Sequence, residues 1–452
     1  MRRVIVRQQI KTSKREAHCL TGNEVDFMLQ FVEQFNTLLV VLLTLCYGYQ
    51  LFYLVYGVWN RRKTGYGSAK TLHRYAAVVC ARNEASVIGE LIQSLREQNY
   101  PAHLLDIYVV ADNCTDATAR VARKAGAIVY SRFDRTQVGK GYALNYLFEK
   151  LRAERGDLGY EGFFVFDADN LVDPNFVTEM NKVFDTGRYQ AITCYRNSKN
   201  FGSNWISAGY SLWFLREARF LNFPRMLLGT NCAISGTGFL VSAQAIRENG
   251  GWPYHLLTED IEFSVNCALK GQRIGYCEKA VIYDEQPTRF QQSWDQRLRW
   301  SKGFYQVDLK YGGALLRGCF AKGSRKFSCY DMLMTVAPGM LLTLVTIAFN
   351  GIIALACLTQ PDYITAQVLD VTLDFIGSAV INFYLGLFLY GTATAICEWT
   401  QIAASPSQKI RYLFTFPLFM FTYIPISLAA LVRRVEWKPI QHTSRKVLRG
   451  SL

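Results

Sequence analysis

The central part of the chain alternates short apolar runs with amphipathic stretches, whereas the parts on either side contain long runs without charge. The apolar run YAAVVCA precedes the amphipathic stretch EASVIGELIQSLREQ, and DIYVVA precedes TDATARVARKAG. The same order recurs where AIVYS precedes GYALNYLFEKLRAE and GFFVFDAD precedes NFVTEMNKVF. Strands that alternate with helices in this way predict βαβ units, and hence a parallel sheet that helices cover on both faces.

The first uncharged run, residues 36–59, is long enough for the roughly 20 residues that cross a bilayer as a helix. It is too long, and begins too far from residue 1, to be the apolar part of a cleaved signal peptide. We therefore predict a retained transmembrane helix. Arg61, Arg62 and Lys63 follow it and acidic residues precede it, so the positive-inside rule places the next residues in the cytoplasm.

Three later apolar runs, at about 330–358, 371–396 and 412–432, predict further membrane helices. Pro417 and Pro425 interrupt the last run, and basic residues flank it on both sides. A single crossing and a re-entrant or interfacial helix are both compatible with this pattern. We expect a multi-pass protein of the cell membrane with its central domain in the cytoplasm.

Charge and cysteine content narrow the choice of partner and compartment. The formal net charge is +14, and half of the residues are hydrophobic. The lysines and arginines concentrate beside the apolar runs, which favours contact with a membrane surface over contact with nucleic acid. The twelve cysteines include no Cys-x-x-Cys pair, so we interpret them as reduced, buried apolar residues and not as metal or disulfide sites.

These patterns divide the chain into six predicted segments. They are an N-terminal segment at 1–35, a transmembrane helix at 36–59, a cytoplasmic domain at 70–308, a basic interfacial segment at 309–328, transmembrane or re-entrant helices at 329–434 and a basic tail at 435–452. The interfacial segment is predicted because its lysines and arginines lie among aromatic residues.

Acidic residues follow three of the four predicted strands. Glu84 lies just after the first strand, Asp112 ends the second, and Asp167 and Asp169 end the fourth. The carboxyl ends of parallel strands meet at one edge of a sheet, so we expect these acids to share a crevice. Without a cation they would repel one another, and Mg²⁺ or Mn²⁺ is suited to bind one or two such carboxylates together with phosphate oxygens. The alternative that Asp167 and Asp169 only form a turn stays open.

Two further motifs supply candidate residues. Lys140 lies between two glycines at the start of a predicted helix, a place that suits an anion, although a surface lysine explains it equally well. The surrounding VGKGYALN is not a P-loop, and no Gly-x-Gly-x-x-Gly follows the first strand, which argues against an NTPase and a dinucleotide oxidoreductase. In LLTEDIEF, Glu259 and Asp260 are either functional acids or first-turn acids behind an N-cap at Thr258.

The segment SWDQRLRW places Gln296, Arg299 and Trp300 at positions i, i+3 and i+4, which share one face of a helix. This Gln-x-x-Arg-Trp pattern lies ahead of the later membrane runs, so we expect its residues to converge on a site next to the membrane. The alternative for Trp300 is an aromatic residue of the membrane interface.

With Asp112, Asp167-Ala168-Asp169, Thr258-Glu259-Asp260 and Gln-x-x-Arg-Trp in this order, the chain resembles the membrane-integrated, processive family 2 glycosyltransferases. These are the synthases of cellulose, chitin, hyaluronan and poly-N-acetylglucosamine. The resemblance runs from about residue 74 to about residue 308 and, more loosely, into the helices on both sides. It implies a GT-A-type, Rossmann-like α/β domain in the cytoplasm, joined to transmembrane α-helices.

The resemblance implies a role for each matching residue. Asp260, with Glu259 beside it, corresponds to the catalytic acids, and Asp260 to the general base that takes the proton of the acceptor hydroxyl. Asp167 and Asp169 correspond to the pair that binds Mg²⁺ or Mn²⁺, and Trp300 to an aromatic residue against the acceptor sugar. The residues expected to bind the donor are Glu84, Asp112, Lys140, Asp167, Gln296 and Arg299.

The resemblance also implies an inverting transferase that adds a sugar from UDP-glucose or UDP-N-acetylglucosamine to a growing β-linked polysaccharide, processively and coupled to export. Membrane lipid, and an accessory membrane subunit or a second copy of the chain, are expected partners, whereas nucleic acid is not. One departure is Ala111, which stands where many relatives have a further Asp.

Two alternative functions remain. A non-processive glycosyltransferase that acts on a lipid or lipid-linked acceptor would keep the Asp-x-Asp pair, but the Gln-x-x-Arg-Trp pattern argues against it. A catalytically silent scaffold on the same fold is the second alternative, and the intact acidic motifs argue against that one.

Overall fold

The computed structural model describes residues 22–60, 66–155, 159–323, 325–360 and 362–435, in which one mixed sheet of eight strands is surrounded by helices. The strands are β1 (Tyr75–Ala81), β2 (Leu105–Asp112), β3 (Ile128–Arg132), β4 (Gly162–Asp167), β5 (Leu171–Val172), β6 (Ala191–Ser198), β7 (Phe239–Ser242) and β8 (Ile274–Asp284). The predictions that rest on Arg61, Arg62 and Lys63, and those for 1–21 and 436–452, lie outside the described residues.

The chain divides into two units. One unit holds Tyr49–Ala337 and the chain from Leu387 onward, and the other holds the chain up to Gly48 together with Pro338–Gly386. The first helices in chain order are α1 (Gly22–Tyr47), α2 (Tyr49–Trp59), α3 (Ile88–Arg96), α4 (Thr118–Lys124), α5 (Lys140–Arg155), α6 (Phe176–Phe184), α7 (Trp205–Glu217) and α8 (Phe223–Leu228), with a π-helical segment at Ala218–Asn222. They are followed by α9 (Ala243–Glu248), α10 (Glu259–Lys270), α11 (Phe290–Gly318), α12 (Arg325–Val336), α13 (Pro338–Cys357), α14 (Asp362–Cys397), α15 (Pro406–Phe421) and α16 (Tyr423–Val432).

The strand order is β3-β2-β1-β4-β7-β6-β8-β5. The four strands predicted from the sequence pair in parallel, β1 with both β2 and β4, and β2 with β3. The other half differs from the prediction, because β7 pairs antiparallel with β4 and β6, and β5 pairs antiparallel with β8. The order reverses at β1, and open α/β sheets bind their ligands beyond the carboxyl ends of the strands at such a point.

Both faces of the sheet are buried, as predicted. Along β1, Tyr75 and Val79 pack into one apolar cluster, whereas Ala76 and Val78 pack into a cluster on the opposite face. Successive strand residues point to opposite faces, so a run in which every residue is apolar fills two cores at once. This arrangement leaves the carboxyl ends of the strands as the place where polar side chains emerge.

Four apolar helical segments within the described residues are long enough to cross a membrane, which indicates that the protein associates with one. They are Val25–Trp59, Gly339–Cys357, Asp362–Cys397 and Pro406–Val432. The last is 33% buried by the protein itself, compared with 11% or less for the others. It packs on α11, where the buried guanidinium of Arg297 donates to the carbonyl of Phe419 (3.1 Å) and the hydroxyl of Thr422 (2.6 Å).

Two boundaries differ from those predicted from the sequence. The predicted run at about 330–358 is divided at Pro338, because proline lacks the N–H that would continue the preceding helix. Helix α11 continues through residue 308, where the catalytic domain was expected to end. Two lysines of α11 bind other parts of the protein: Lys302 donates to the carbonyl of Ala430, and Lys310 pairs with Glu262.

Candidate active site

One cavity of about 300 Å³ lies at the carboxyl ends of β1, β2 and β4. All ten residues that the sequence marked as candidates line it. They are Glu84, Asp112, Lys140, Asp167, Asp169, Glu259, Asp260, Gln296, Arg299 and Trp300. The fold therefore brings these residues together, while the role of each one stays a prediction.

Two asparagines turn the chain away from the sheet where β1 and β2 end. Asn83 and Asn113 have φ values of 60° and 52°, and asparagine tolerates this left-handed region better than most residues. The Asn83 side chain accepts a hydrogen bond from the N–H of Thr115 (2.8 Å), which joins the two strand ends. This local arrangement holds Glu84 and Asp112 at the cavity.

Asp112 is held by a partner that the sequence did not predict. Its Oδ1 accepts from Arg132 (2.7 Å) and from Asn113 (3.1 Å), and both members of the Arg132 ion pair are buried. Burial raises the pKa of Asp112, and the Arg132 guanidinium acts in the opposite direction. Among the described residues no hydrogen bond reaches Oδ2 of Asp112, so that oxygen is available to a ligand hydroxyl.

Asp167 and Asp169 both line the cavity after β4. Lys140, the first residue of α5, donates to Oδ1 of Asp167 (2.6 Å) and to the carbonyl of Gly236 (2.6 Å). Burial lowers the pKa of Lys140, but the charges of Asp167 and Glu259 outweigh it, so the pKa is raised. The ammonium group is therefore charged at neutral pH and partly neutralises this acidic edge.

The acid pair is suited to a divalent cation only if a ligand supplies further oxygens. Among the described residues no group of three or more His, Cys, Asp or Glu side chains could hold a metal. Mg²⁺ and Mn²⁺ commonly bind one or two carboxylates and complete their coordination with phosphate oxygens and water. Asp167 and Asp169 therefore fit such an ion when a diphosphate is bound with it.

Gly236 lies where the acidic groups meet. A Cβ atom at this position would be 3.8 Å from Oδ2 of Asp260 and 3.9 Å from Oδ2 of Asp167, so both carboxylates face the same point. The residue also has a φ of 77°, which disfavours any side chain. Gly236 thus leaves open the space between the predicted base and the predicted metal-binding acid.

Glu259 and Asp260 begin helix α10, with Thr258 at the N-cap. The capping alternative for this segment fails in one respect, because the Thr258 side chain makes no capping hydrogen bond and its hydroxyl is buried. Burial, and then the neighbouring Asp260 charge, raise the pKa of Glu259 to about 7, and burial also raises the pKa of Asp260. A carboxyl pair that holds a proton near neutral pH is suited to proton transfer.

Helix α11 presents the Gln-x-x-Arg-Trp residues to the cavity and packs its other face into the protein, as the helical spacing predicted. The Oε1 of Gln296 and the Nε of Arg299 are buried and make no hydrogen bond within the described residues. Buried polar groups are nearly always hydrogen-bonded, so these two atoms are candidates to bind a ligand. The ring of Trp300 packs edge-on against Tyr210 (5.7 Å between centroids) and Phe214 (6.2 Å).

Close packing sets the position of α10 relative to α11. The fully buried Glu262 of α10 accepts from Lys310 (2.6 Å) and Tyr311 (3.0 Å) of α11. A Cβ at Gly303 of α11 would lie only 2.6 Å from the Thr258 hydroxyl, so glycine permits this approach. These contacts hold the predicted base on α10 and the Gln-x-x-Arg-Trp residues on α11 at one cavity.

Several cavity residues were missed by the sequence analysis. Arg196 at the end of β6 and Glu285 just after β8 would have been found by searching for polar residues at strand ends beyond the fourth strand. A further set carries no such signal, because its residues come from helices α7, α8 and α11 and the π-helical segment. We call this set the helical wall, and it consists of Trp213, Phe214, Glu217, Leu221, Arg225 and Phe304.

The helical wall and the π-helical segment beside it contact two of the candidate membrane segments. Arg225 forms a fully buried ion pair with Asp331 (2.7 Å), whose carboxylate also accepts from the hydroxyls of Tyr49 (2.8 Å) and Tyr53 (2.9 Å) on α2. Phe220 of the π-helical segment packs edge-on against Tyr390 on α14 (5.6 Å). One side of the cavity is thus continuous with helices that are apolar enough to lie in a bilayer.

Comparison with known proteins identifies two groups of relatives. The chain is 28% identical over 253 residues to the β-monoglucosyldiacylglycerol synthase of Synechocystis sp., covering 55% of this chain and 51% of that protein. It is 23% identical over 291 residues to a poly-β-1,6-N-acetyl-D-glucosamine synthase of Staphylococcus epidermidis, covering 64% and 65%. The chain thus spans about half to two thirds of the length of these relatives.

Among solved structures, the mannosyltransferase PcManGT from Pyrobaculum calidifontis, in complex with GDP-Man and Mn²⁺, matches with a TM-score of 0.52 at 18% identity, covering 88% of this chain and 99% of that one. This likeness confirms the predicted GT-A-like fold. The family profile described as "Glycosyltransferase like family 2" matches residues 73–303, which is half of the chain and includes every candidate residue named from the sequence. The chain belongs to the family 2 glycosyltransferases.

Proposed function

We propose that this glycosyltransferase moves a hexose from a UDP-sugar to the hydroxyl of a lipid or lipid-linked acceptor at the membrane, with inversion at the anomeric carbon. The observation that carries the proposal is the cavity in which Asp260 and Asp167 face the same point while one wall contacts apolar helices. Inverting transfer needs a base on one side of the sugar and a group that stabilises the leaving diphosphate on the other.

Asp260 is the proposed base that takes the proton of the acceptor hydroxyl. Arg299 and Lys140 are the proposed cations for the diphosphate, because both line the cavity among the carboxylates. Burial lowers the pKa of Arg299, and the nearby charges of Glu259, Asp167 and Asp260 offset only part of this change. The guanidinium stays charged because the ordinary pKa of arginine is far above neutral pH. Its planar fork is suited to a diphosphate.

Asp112 and Glu84 are the proposed contacts to the nucleoside, since they lie at the ends of β1 and β2 on the far side of Asp167 in the strand order. Oδ2 of Asp112 is the atom proposed to accept from a ribose hydroxyl or the uracil N–H. Asp167 and Asp169 would hold Mg²⁺ or Mn²⁺ with the diphosphate, and the ion would supply positive charge to the leaving group.

The acceptor is the point on which the sequence-based prediction and the comparisons diverge. A lipid acceptor is supported by the similarity to β-monoglucosyldiacylglycerol synthases and by the contacts that join the helical wall to α2 and the π-helical segment beside it to α14. The processive polysaccharide synthase predicted first is the second candidate. Trp300 at the cavity and the similarity to poly-β-1,6-N-acetyl-D-glucosamine synthases favour it.

The test uses the full chain in membrane vesicles or detergent, with Mg²⁺ or Mn²⁺ and either radiolabelled UDP-glucose or UDP-N-acetylglucosamine. The reaction is extracted with organic solvent and separated by thin-layer chromatography, and the remaining material is sized on a gel. We expect a short, solvent-extractable product that EDTA prevents. A long product that stays in the gel would replace the lipid proposal by the processive one, and no turnover of either donor would contradict both.

A further inference from the structure

Glu217 is a cavity residue to which the proposed chemistry assigns no task. It is the last residue of α7, directly before the π-helical segment Ala218–Asn222, and its half-buried side chain lines the cavity. Segments of π-helix often occur at functional sites because they displace side chains from the regular helical pattern. Glu217 is therefore a candidate to bind a ligand in the cavity.

The protein uses only part of the hydrogen-bonding capacity of Glu217. The hydroxyl of Ser235 donates to Oε1, and no other hydrogen bond or ion pair involves the Glu217 side chain within the described residues. Burial raises the pKa of Glu217, whereas the Ser235 hydrogen bond and the charges of nearby arginines act to lower it. A carboxylate has about four acceptor positions, so Glu217 keeps positions to which a ligand can donate.

The arginines near Glu217 are all engaged elsewhere. Arg196 donates to Asp284 (2.6 Å) and to the carbonyl of Ser235 (3.0 Å). Arg225 is paired with Asp331. The third arginine, at position 216, donates to the side chain of Gln50 (2.6 Å) and lies over the ring of Trp213. None of the three forms an ion pair with Glu217 among the described residues, and the Glu217 side chain lines the cavity.

The backbone places Glu217 next to the reacting centre. Ser235, which holds Glu217, directly precedes Gly236, the residue that both Asp260 and Asp167 face. Lys140 fixes the carbonyl of Gly236, and Arg196 fixes that of Ser235. Glu217 and Asp260 line the same cavity, so we expect a molecule with two hydroxyls to reach both of them.

We propose that Glu217 binds a second hydroxyl of the acceptor, and that the acceptor is a lipid or lipid-linked molecule whose head group carries several hydroxyls, such as a sugar. Diacylglycerol has one free hydroxyl, and that one must reach Asp260, so it would leave Glu217 without a donor. The helical wall also offers apolar surface for the ring of a sugar, from Trp213, Phe214, Leu221 and Phe304. This inference rests on the proposed function and narrows its acceptor.

The experiment compares two acceptors in mixed micelles, diacylglycerol and monoglucosyldiacylglycerol, with the full-length protein and its preferred UDP-sugar. We expect the wild-type kcat/KM to be at least about tenfold higher for the glycosylated acceptor. Glu217→Ala should remove most of that preference, mainly through KM for the acceptor, and Glu217→Gln should keep part of it because an amide oxygen still accepts a hydrogen bond. Hydrolysis of the UDP-sugar without acceptor should change less than about twofold in both variants.

Ser235→Ala is a second, milder variant, since it removes only the hydroxyl that holds Glu217, and it should lower the preference by a smaller factor. Glu248→Gln changes an exposed glutamate of α9 away from the cavity and should behave as wild type. Equal wild-type activity on both acceptors, or equal loss on both in Glu217→Ala, overturns the inference while the proposed function stands. Failure of the wild-type protein to glycosylate either lipid, with donor hydrolysis intact, counts against the proposed function itself.

Discussion

The two sides of the cavity are built in different ways. The strand-end side takes most of its charged groups from residues at or just after β-strands. Two ion pairs lie there, Asp112 with Arg132 and Asp167 with Lys140 of α5. The helical wall is held by contacts between distant parts of the chain, such as Arg225 with Asp331. A dense array of opposite charges is suited to a nucleoside diphosphate, whereas aromatic surface next to apolar helices is suited to an acceptor that comes from a membrane.

The largest expected effect is at the boundary between the two sides. Asp260→Asn should reduce transfer by about 10²–10⁴-fold, since asparagine cannot take a proton, while UDP binding stays within about twofold. A transfer assay and a calorimetric titration with UDP measure the two quantities. Asp295→Asn, an exposed change on α11, is the control. Normal turnover by Asp260→Asn would remove this residue from the mechanism.

The stability of the helical wall should depend on the buried ion pair between Arg225 and Asp331. Asp331→Asn leaves the Arg225 guanidinium buried without its counter-charge, and the free energy of unfolding should fall by about 3–5 kcal/mol. Thermal unfolding in detergent detects this as a lower Tm. Glu179→Gln, which breaks the i,i+3 pair with Lys182, should cost about 0.3–0.5 kcal/mol. Similar losses in the two variants would show that the buried pair is not what stabilises the helical wall.

The pH dependence of kcat/KM should reflect the protonation of Glu259, which lies beside Asp260 between the two sides of the cavity. Glu259, whose pKa is about 7, is in electrostatic contact with Asp260, Lys140 and Arg299. Its second negative charge strengthens Asp260 as a base, so kcat/KM should rise with pH through about 7 and fall about tenfold per unit below it. Glu259→Gln lacks that charge at every pH and should keep kcat/KM near the low acid-side value, without the rise through about pH 7. An unchanged profile in this variant would assign the titration to another group.

The smallest expected effect concerns the aromatic surface. Trp300→Ala should lower transfer to the acceptor by about two- to tenfold and raise KM for the acceptor, because a ring contact contributes about 0.5–1.5 kcal/mol. Hydrolysis of the UDP-sugar should be nearly unchanged. Trp300→Phe keeps an aromatic ring, so its transfer activity should lie between those of the wild type and Trp300→Ala. Equal losses of transfer and hydrolysis would place Trp300 on the donor side of the cavity instead.

Local pattern was sufficient to predict one half of the sheet and most of the strand-end side. The run YAAVVCA predicted β1 because both faces of that strand are buried, and the acids after β4 were visible because they directly follow an apolar run. The i, i+3 and i+4 spacing of Gln296, Arg299 and Trp300 predicted a shared helix face, and all three line the cavity. Each of these signals lies within a few residues of the group it identifies.

The tertiary structure alone decided the features that depend on distant residues. Strand β7 lies between β4 and β6 and pairs antiparallel with both, which makes the sheet mixed. No short motif predicts this pairing, because β7 is far from β4 and β6 in the sequence. Glu217 looks like any helix carboxylate in the sequence, and its exposure to the cavity follows from the packing of Ser235 and of arginines with other partners. Short motifs could be recognised because their residues are neighbours in the sequence. The partners of a buried charge depend on which distant elements pack together in the core, so only the tertiary structure identifies them.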